Sequence, residues 1–299
     1  MQTHAKGPAA GWWWLIRGCA VLGRDTGKIL GAAALLGLCM LLITAAQMLT
    51  PAQGHAKLVV MGVTMIVAGV LYPVLYGGFM RVIDASRNGR PVSALMLFET
   101  FKPGQNGTQL ALFGLCMLAI YVAFLALVVL TVGHDMGTWY MQVLAHQAPF
   151  GSPPHPLPKL PANFALTLAL LTVFLLFYFG ATAIGVGQAS LRGEAGLAAF
   201  RDGIAGAFKN VLPLVVLAIC GILALLVVSV VLGFVGVLVI GLVFLASKVA
   251  GIVIAIIFYI AFILFMFAIM MGINYAIWHD VAGATPEADT PPPLPDVQG

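Results

Sequence analysis

Few side chains in this 299-residue sequence have the types and spacing that chemistry requires. His134 is followed directly by Asp135, a pairing that can orient a general base, but no serine or cysteine is placed to act as the nucleophile. His134, His146 and His155 could together bind a metal ion, yet their spacings match no ligand signature and the intervening prolines hold them apart. The sequence therefore predicts no catalytic residue, no metal site and no cofactor.

Polar groups inside the apolar segments are equally sparse. No Asp or Glu lies well inside any of these segments, whereas ion- or proton-coupled carriers usually keep a charged residue there. Thr64, Ser229 and Tyr259 are the polar side chains near mid-segment, and a helical serine or threonine more often bonds its own i−4 carbonyl than a substrate. His279 and Asp280, just after the last segment, are expected to anchor that helix at the membrane interface.

Long apolar segments must position these residues. The longest, residues 211–278, contains Lys248 as its only charge, and its length far exceeds the roughly 20 residues that one bilayer span needs. The whole chain is 62% hydrophobic and 8% charged, which is typical of polytopic membrane proteins. The sequence thus predicts an all-α, polytopic transmembrane helix bundle.

We expect one transmembrane domain, residues 29–278, between a cytoplasmic or interfacial segment at 1–28 and a disordered cytoplasmic tail at 279–299. The short stretch 234–247 is expected to be re-entrant or a bent extension of its neighbours, and a seventh span is the competing count. Six spans are predicted, at residues 29–49, 58–80, 109–132, 163–188, 211–233 and 249–278.

Proline and glycine mark the candidate kink and packing positions. Pro73 removes one backbone hydrogen bond inside span two and invites a kink just before Gly77 and Gly78, which leave room for a neighbouring helix. Asn210 is expected to cap span five, with Pro213 in the first turn, where a missing amide hydrogen costs nothing.

Cations cluster beside aromatic residues in two amphipathic linkers, 81–102 and 192–209, and in a segment with Trp12, Trp13 and Trp14. That segment is either an interfacial helix or an extension of span one. Each cation at a membrane surface contributes about 1 kcal/mol of attraction to anionic lipid, and ordinary topogenic charge is the alternative. The candidate lipid-headgroup contacts are Arg17, Arg24, Arg81, Arg87, Arg90, Arg192, Arg201 and Lys209.

The distribution of Lys and Arg predicts the orientation of the chain. With six spans, eleven of these residues fall on one side and three on the other, so both termini are expected in the cytoplasm. The net charge of +4 therefore marks sidedness and not nucleic-acid binding. The sequence also predicts two similar hairpins, one formed by spans two and three and the other by spans four and five. In each hairpin a basic linker joins the two spans, and this similarity reflects either an internal repeat or convergence.

Five short motifs occur along the chain: the aromatic lead before span one, Pro73 with Gly77-Gly78-Phe79-Met80, Leu97-Phe98 with Phe101, Asn210 with Pro213, and Tyr275-Ala276-Ile277-Trp278-His279-Asp280. They resemble motifs of an uncharacterised family of proteobacterial multi-pass inner-membrane proteins. This sequence has Trp278 where a second tyrosine is more usual and Ala282 where an aromatic residue is. The resemblance implies a bacterial inner-membrane location and this fold, and it implies no catalytic or binding residue.

Two functional hypotheses follow from these observations. The first is a non-enzymatic inner-membrane protein with a structural, assembly or lipid-interacting role, whose partners are anionic headgroups, another membrane protein or a second copy of the chain. The alternative is a permease for an apolar or lipid-like small molecule, which would use a cavity between the hairpins near Pro73 and Gly77-Gly78.

Overall fold

The computed structural model of the chain describes residues 3–23, 25–49, 55–145 and 158–283. Every regular element in these ranges is helical, and six of the helices are long and apolar enough to cross a membrane. The predicted all-α, polytopic helix bundle is thereby confirmed. Arg24, His146, His155 and the tail beyond Gly283 lie outside the described residues.

The helices alternate between long, apolar ones and shorter ones near their ends. A 3-10 helix, Ala94–Phe101, stands between the third and fourth helices; we call it the first linker. Single turns also follow the first and last helices, at Ala20–Gly23 and His279–Gly283. In chain order the α-helices are α1 (Ala10–Cys19), α2 (Thr26–Leu49), α3 (His55–Arg87), α4 (Gly107–Thr131), α5 (His134–Ala145), α6 (Phe164–Leu191), α7 (Gly196–Lys209), α8 (Val211–Ala246) and α9 (Lys248–Trp278).

Helix α8 is much longer than the predicted span five. It runs without a break to Ala246, so of the two forms expected for residues 234–247 the structure has the helical extension and not a re-entrant segment. Its 36 residues rise about 54 Å, against a hydrocarbon layer about 30 Å thick. In a bilayer α8 must therefore tilt steeply, or project beyond the hydrocarbon layer.

Helix α3 continues through Pro73 and past the predicted end of span two. The first part of the predicted linker 81–102 is therefore helical, and only Ala94–Phe101 forms a separate element. Because proline has no amide hydrogen, the carbonyl of Gly69 loses its helical donor. Gly114 of α4 packs directly on this region: a Cβ there would lie 2.4 Å from Gly69 O and 2.8 Å from Pro73 Cγ.

One arrangement occurs three times around the bundle. The members of each helix pair, α2–α3, α4–α6 and α8–α9, contact each other, and α3, α6 and α9 are also in mutual contact. The first linker packs on α2 and α3, α7 packs on α4 and α6, and α1 packs on α8 and α9. These three units differ from the two hairpins with a shared sequence plan, which joined α3 to α4 and α6 to α8. In the structure each short element instead packs on a helix pair that is offset from those hairpins by one long helix. We call the end of the bundle that carries α1, the first linker and α7 the linker end.

Buried side chains concentrate at the linker end. Phe79 and Ile83 of α3, Ile184 of α6 and Met271 of α9 are completely buried there. Toward the opposite end, α8 and α9 direct large apolar side chains outward, and Val237 is 74% exposed. Apolar surface of this extent along long helices is what contact with lipid requires. The bundle is therefore tightly packed at the linker end and faces lipid over much of its remaining length.

Candidate functional site

The described residues among those first considered for chemistry do not assemble into a site. His134 Nδ1 lies 3.6 Å from Asp135 Oδ1, and both side chains are exposed on α5. In the described ranges, no group of three or more His, Cys, Asp or Glu side chains is arranged to hold a metal ion. Thr64 donates to the carbonyl of Val60 at 2.8 Å, the i−4 bond typical of a helical threonine. Tyr259 is exposed on α9.

Three of the eight candidate lipid-headgroup contacts bind backbone carbonyls within the protein. The last carbonyls of a helix have no donor inside that helix, so a nearby cation stabilises them. Arg81 supplies such a donor to the last turn of α6, with both Nε and Nη2 directed at one carbonyl. The Nη or Nζ to carbonyl distances are 3.1 Å from Arg81 to Ser190, 2.8 Å from Arg192 to Gly283 and 2.9 Å from Lys209 to Thr3.

Two further candidates, Arg87 and Arg90, lie at and just beyond the end of α3, where this helix meets α9. The Arg87 guanidinium is 5.6 Å from the ring centroid of Tyr275, within cation–π range. Arg90 forms an ion pair with Asp84, and Asp84 also accepts a hydrogen bond from the Tyr275 hydroxyl at 2.8 Å. Asp84 and Tyr275 therefore tie α3 to α9.

Arg17 on α1 and Arg201 on α7 have different surroundings. Both are exposed, and neither forms a hydrogen bond or an ion pair with the part of the chain that the structure describes. Arg24, the remaining candidate, lies outside that part. The seven candidates in the described ranges thus divide into five that contact the protein and two that face outward.

Each of the three elements at the linker end exposes large apolar side chains. On α1, Trp12 and Trp13 are 48% and 54% exposed, and on the first linker and α7, Leu95 and Phe208 are each 66% exposed. Arg17 and Arg201 lie on two of these three elements. We refer to the exposed apolar side chains of the three elements as the collar: Trp12, Trp13, Ile16, Leu95, Phe101, Leu197 and Phe208.

Glycine fixes the inner faces of these elements to the bundle. A Cβ on Gly78 of α3 would lie 1.9 Å from the carbonyl oxygen of Leu97 in the first linker. A Cβ on Gly11 of α1 would lie 2.2 Å from the carbonyl oxygen of Pro213, and Gly203 of α7 approaches α6 in the same way. Such distances leave room for no side chain, so backbone packs directly on backbone. The collar is therefore held rigidly against the helices.

The space at Gly77 and Gly78 is filled. A Cβ on Gly77 would lie 2.6 Å from Leu110 Cδ1, and Gly78 is covered by the first linker. A permeation cavity at this point would require α3 and α4 to separate. A different groove, about 380 Å³ in volume and lined only by apolar side chains of α4, α6, α7 and α8, includes Phe124 and Leu214 in its wall.

Asn210 fastens the chain segment that precedes α1. Expected to cap α8, it makes no capping hydrogen bond. Its Oδ1 accepts from the backbone N–H of Lys6 at 2.8 Å, and its Nδ2 donates to the carbonyls of His4 and Gly206 at 3.0 and 2.9 Å. The position of Asn210 at the start of a helix was visible in the sequence, but two of its three partners, Lys6 and His4, lie about 200 residues away.

We expect Asn210→Ala to lower the free energy of unfolding by about 2–4 kcal/mol, because three backbone groups lose a partner and each unsatisfied buried group costs about 1–3 kcal/mol. Asn210 is 1% exposed, so water has little access to replace it. Thermal unfolding in detergent measures the loss. The matched control is Asn88→Ala, since exposed Asn88 bonds only the Asp84 side chain; two variants of equal stability would contradict the assignment.

Buried polar side chains also connect α6, α7 and α9. Trp278 Nε1 donates to Gln188 Oε1 at 3.4 Å, and Gln188 Nε2 donates to Asp202 Oδ2 at 3.2 Å. Burial, together with the neighbouring Asp202 carboxylate, raises the pKa of Glu194 above its usual range. This cluster joins elements that are distant in sequence, so sequence periodicity contained no signal for it.

Arg81, Arg90 and Arg192 meet at one cleft of about 450 Å³ between α3, α6 and the first linker. We call it the arginine cleft. Ser190 is one of its lining residues, and the Ser190 Oγ is buried with no hydrogen-bond partner among the described residues. The polar lining is completed by Asp84, Glu99 and Asn106.

The chain was compared with protein-family models, with curated proteins and with solved structures, and none of the three comparisons finds a match.

Proposed function

We propose that this multi-pass membrane protein is a non-enzymatic component of the bacterial inner membrane, with a structural, assembly or lipid-interacting role, and that its linker end lies in the cytoplasmic interface. The observation that carries the proposal is the collar. Three elements at one end of the bundle direct large apolar side chains outward, while glycine contacts hold their inner faces rigidly against the helices. A rigid collar of apolar side chains beside cations suits the membrane interface, where lipid headgroups meet the acyl chains.

The charges support the same orientation. Eleven of the fourteen Lys and Arg residues precede span one or follow spans two and four, and cytoplasmic loops are the ones enriched in these residues. Arg17 and Arg201, which bind no described protein group, are available to anionic lipid. The resemblance to an uncharacterised proteobacterial inner-membrane family is consistent with this proposal.

The outward apolar faces of α8 and α9 support contact with lipid or with another membrane protein, including a second copy of this chain. The alternative function, a permease for an apolar or lipid-like molecule, is favoured by one observation, the apolar groove of about 380 Å³ beside α6 and α8. It is disfavoured by the direct contact of α3 and α4 at Gly77.

The lipid interaction can be tested with the exposed tryptophans as probes. In vesicles that contain brominated phosphatidylglycerol, Trp12 and Trp13 should be quenched more than in vesicles with brominated phosphatidylcholine. Replacing Arg17 and Arg201 together by Gln removes two exposed cations, each worth on the order of 1 kcal/mol before salt screening. We therefore expect the preference for the anionic lipid to fall several-fold.

The control removes two cations that already have protein partners: Lys28, which pairs with Asp25 at 2.9 Å, and Lys102, which pairs with Glu99 at 3.4 Å. The Lys28→Gln, Lys102→Gln variant should keep most of the preference. Specific lipid recognition at the collar is ruled out if tryptophan fluorescence in the arginine variant is quenched to the same extent as in the unaltered protein. It is also ruled out if both variants lose the preference for anionic lipid equally.

A further inference from the structure

We propose that the arginine cleft binds a phosphate group, carried by an anionic amphiphile whose hydrocarbon chain lies in the adjoining slot between α3 and α4. The inference rests on the proposed lipid-interacting role and adds to it one defined site and one ligand class. The sequence alone does not predict that Arg81, Arg90 and Arg192 lie at one cleft, because they lie on segments separated by up to about 110 residues.

The charge balance of the cleft favours an anion. Asp84 is matched by Arg90, and Glu99 is matched by Lys102 at 3.4 Å. Arg81 bonds only neutral oxygens in the described ranges, namely the carbonyls of Ser190 and Gln105 and the Gln105 side chain. Its positive charge therefore has no contacting carboxylate there. A guanidinium held in place by neutral oxygens is pre-organised to attract phosphate.

Ser190 supplies a donor that the protein itself does not use. The residue is 4% exposed and is one of those that line the cleft, and its buried Oγ has no hydrogen-bond partner among the described residues. A helical serine usually satisfies its hydroxyl on the i−4 carbonyl, so this exception indicates a group with another partner. A phosphate oxygen accepts from such a hydroxyl.

The N-terminus of α4 contributes a second favourable field. Asn106, at the N-cap, has a left-handed backbone with φ 62° and makes no side-chain capping bond. The amides of the first turn of a helix carry partial positive charge and favour anions. The last turn of α6 has the opposite effect, because the carbonyls at the C-terminus of a helix carry partial negative charge. Arg81 offsets this charge by donating to the Ser190 carbonyl in that turn. The balance at the cleft therefore remains positive.

The slot next to the cleft explains why an amphiphile fits better than a free anion. A cavity of about 490 Å³ lies between α3, the end of the first linker and the start of α4, and Asn106 belongs to the lining of both spaces. Val70, Leu71 and Val74 of α3 and Ala111 of α4 are apolar members of its lining, and residues 100–109 supply the rest. A headgroup in the cleft would thus have an apolar path for its chain beside it.

The test is saturable binding to the purified full-length protein in an uncharged detergent, followed by native mass spectrometry. Three probes separate the sources of the ligand: dioctanoyl phosphatidylglycerol, inorganic phosphate, and dioctanoylglycerol, which has chains and no phosphate. Ser190→Ala should weaken phosphatidylglycerol binding about tenfold or more, because a hydrogen bond to a charged group contributes roughly 1.5–3 kcal/mol. Ser86→Ala is the matched control, since Ser86 is equally buried and already donates to Asp25 at 3.2 Å.

Saturable phosphatidylglycerol binding that weakens in Ser190→Ala and not in Ser86→Ala supports a lipid headgroup as the source. Comparable binding of inorganic phosphate with the same mutational pattern supports the phosphate site and assigns a free anion to it. The proposal is overturned if neither phosphatidylglycerol nor inorganic phosphate binds saturably. It is also overturned if the unaltered protein and Ser190→Ala bind phosphatidylglycerol with equal affinity. Because Ser190 lies outside the collar and the collar test changes only Arg17 and Arg201, this failure would leave the quenching result of the collar intact, and the converse also holds.

Discussion

Gly78→Ala is expected to destabilise the protein by about 3 kcal/mol or more, at the upper end of the cost of overpacking a core. The added methyl group would lie 1.9 Å from the carbonyl oxygen of Leu97 and 2.6 Å from its carbonyl carbon. Both are backbone atoms, so no side-chain rotation relieves the clash and the whole first linker must shift. A large fall in the thermal unfolding temperature in detergent is the predicted result.

The control for this experiment lies on the same helix. Gly62 has no atom within 4 Å of the position that its Cβ would occupy, and alanine favours a helix over glycine by up to about 1 kcal/mol. Gly62→Ala should therefore be neutral or slightly stabilising. If Gly78→Ala and Gly62→Ala unfold at the same temperature, the first linker does not pack on α3 as described. The part of the collar on the first linker is then not held rigidly against the helices.

Trp14→Ala should cost about 3–5 kcal/mol, the range for truncating a large aromatic side chain in a core. Trp14 is completely buried, and its Nε1 donates to Asp280 Oδ2 at 2.9 Å. The Asp280 carboxylate also pairs with Lys6 at 3.3 Å, so the loss extends to the segment before α1. Thermal unfolding measures the cost, and Trp14→Phe, which keeps most of the volume, isolates the hydrogen-bonded part.

Its neighbour Trp13 provides a direct comparison, because it is 54% exposed. Trp13→Ala should change stability by no more than about 0.5 kcal/mol, as surface substitutions usually do, and should reduce quenching by brominated lipid. Equal destabilisation by the two substitutions would mean that α1 presents a different face to α8 and α9.

The class of fold was predictable because the length and hydropathy of the apolar segments depend only on neighbouring residues. The end of span five was not, since the stretch 234–247 is too short to span a bilayer by itself and contains Gly236 and Gly241, which disfavour a helix. In lipid an unpaired backbone group costs several kcal/mol, which outweighs the roughly 1 kcal/mol propensity cost of each glycine. Helix α8 therefore continues to Ala246.

The individual cations of the candidate site were visible in the sequence, but their roles were not. Arg192 and Arg201 occur in the same basic linker, yet the first donates to the carbonyl of Gly283 and the second faces outward. The difference depends on where a distant helix ends, which no local pattern contains. The same holds for Ser190, whose importance lies in the absence of a partner within the described structure.

The position of α1 beside α8 and α9 has a consequence for the order in which the bundle can assemble. Because α1 occupies the place that the first linker and α7 hold in the other two units, the third unit combines elements from opposite ends of the described chain, and the His4 amide donates to the Val281 carbonyl at 2.9 Å. Contacts between residues so far apart in sequence are slow to form during folding. The third unit can therefore be completed only after the helices of the other two have been synthesised.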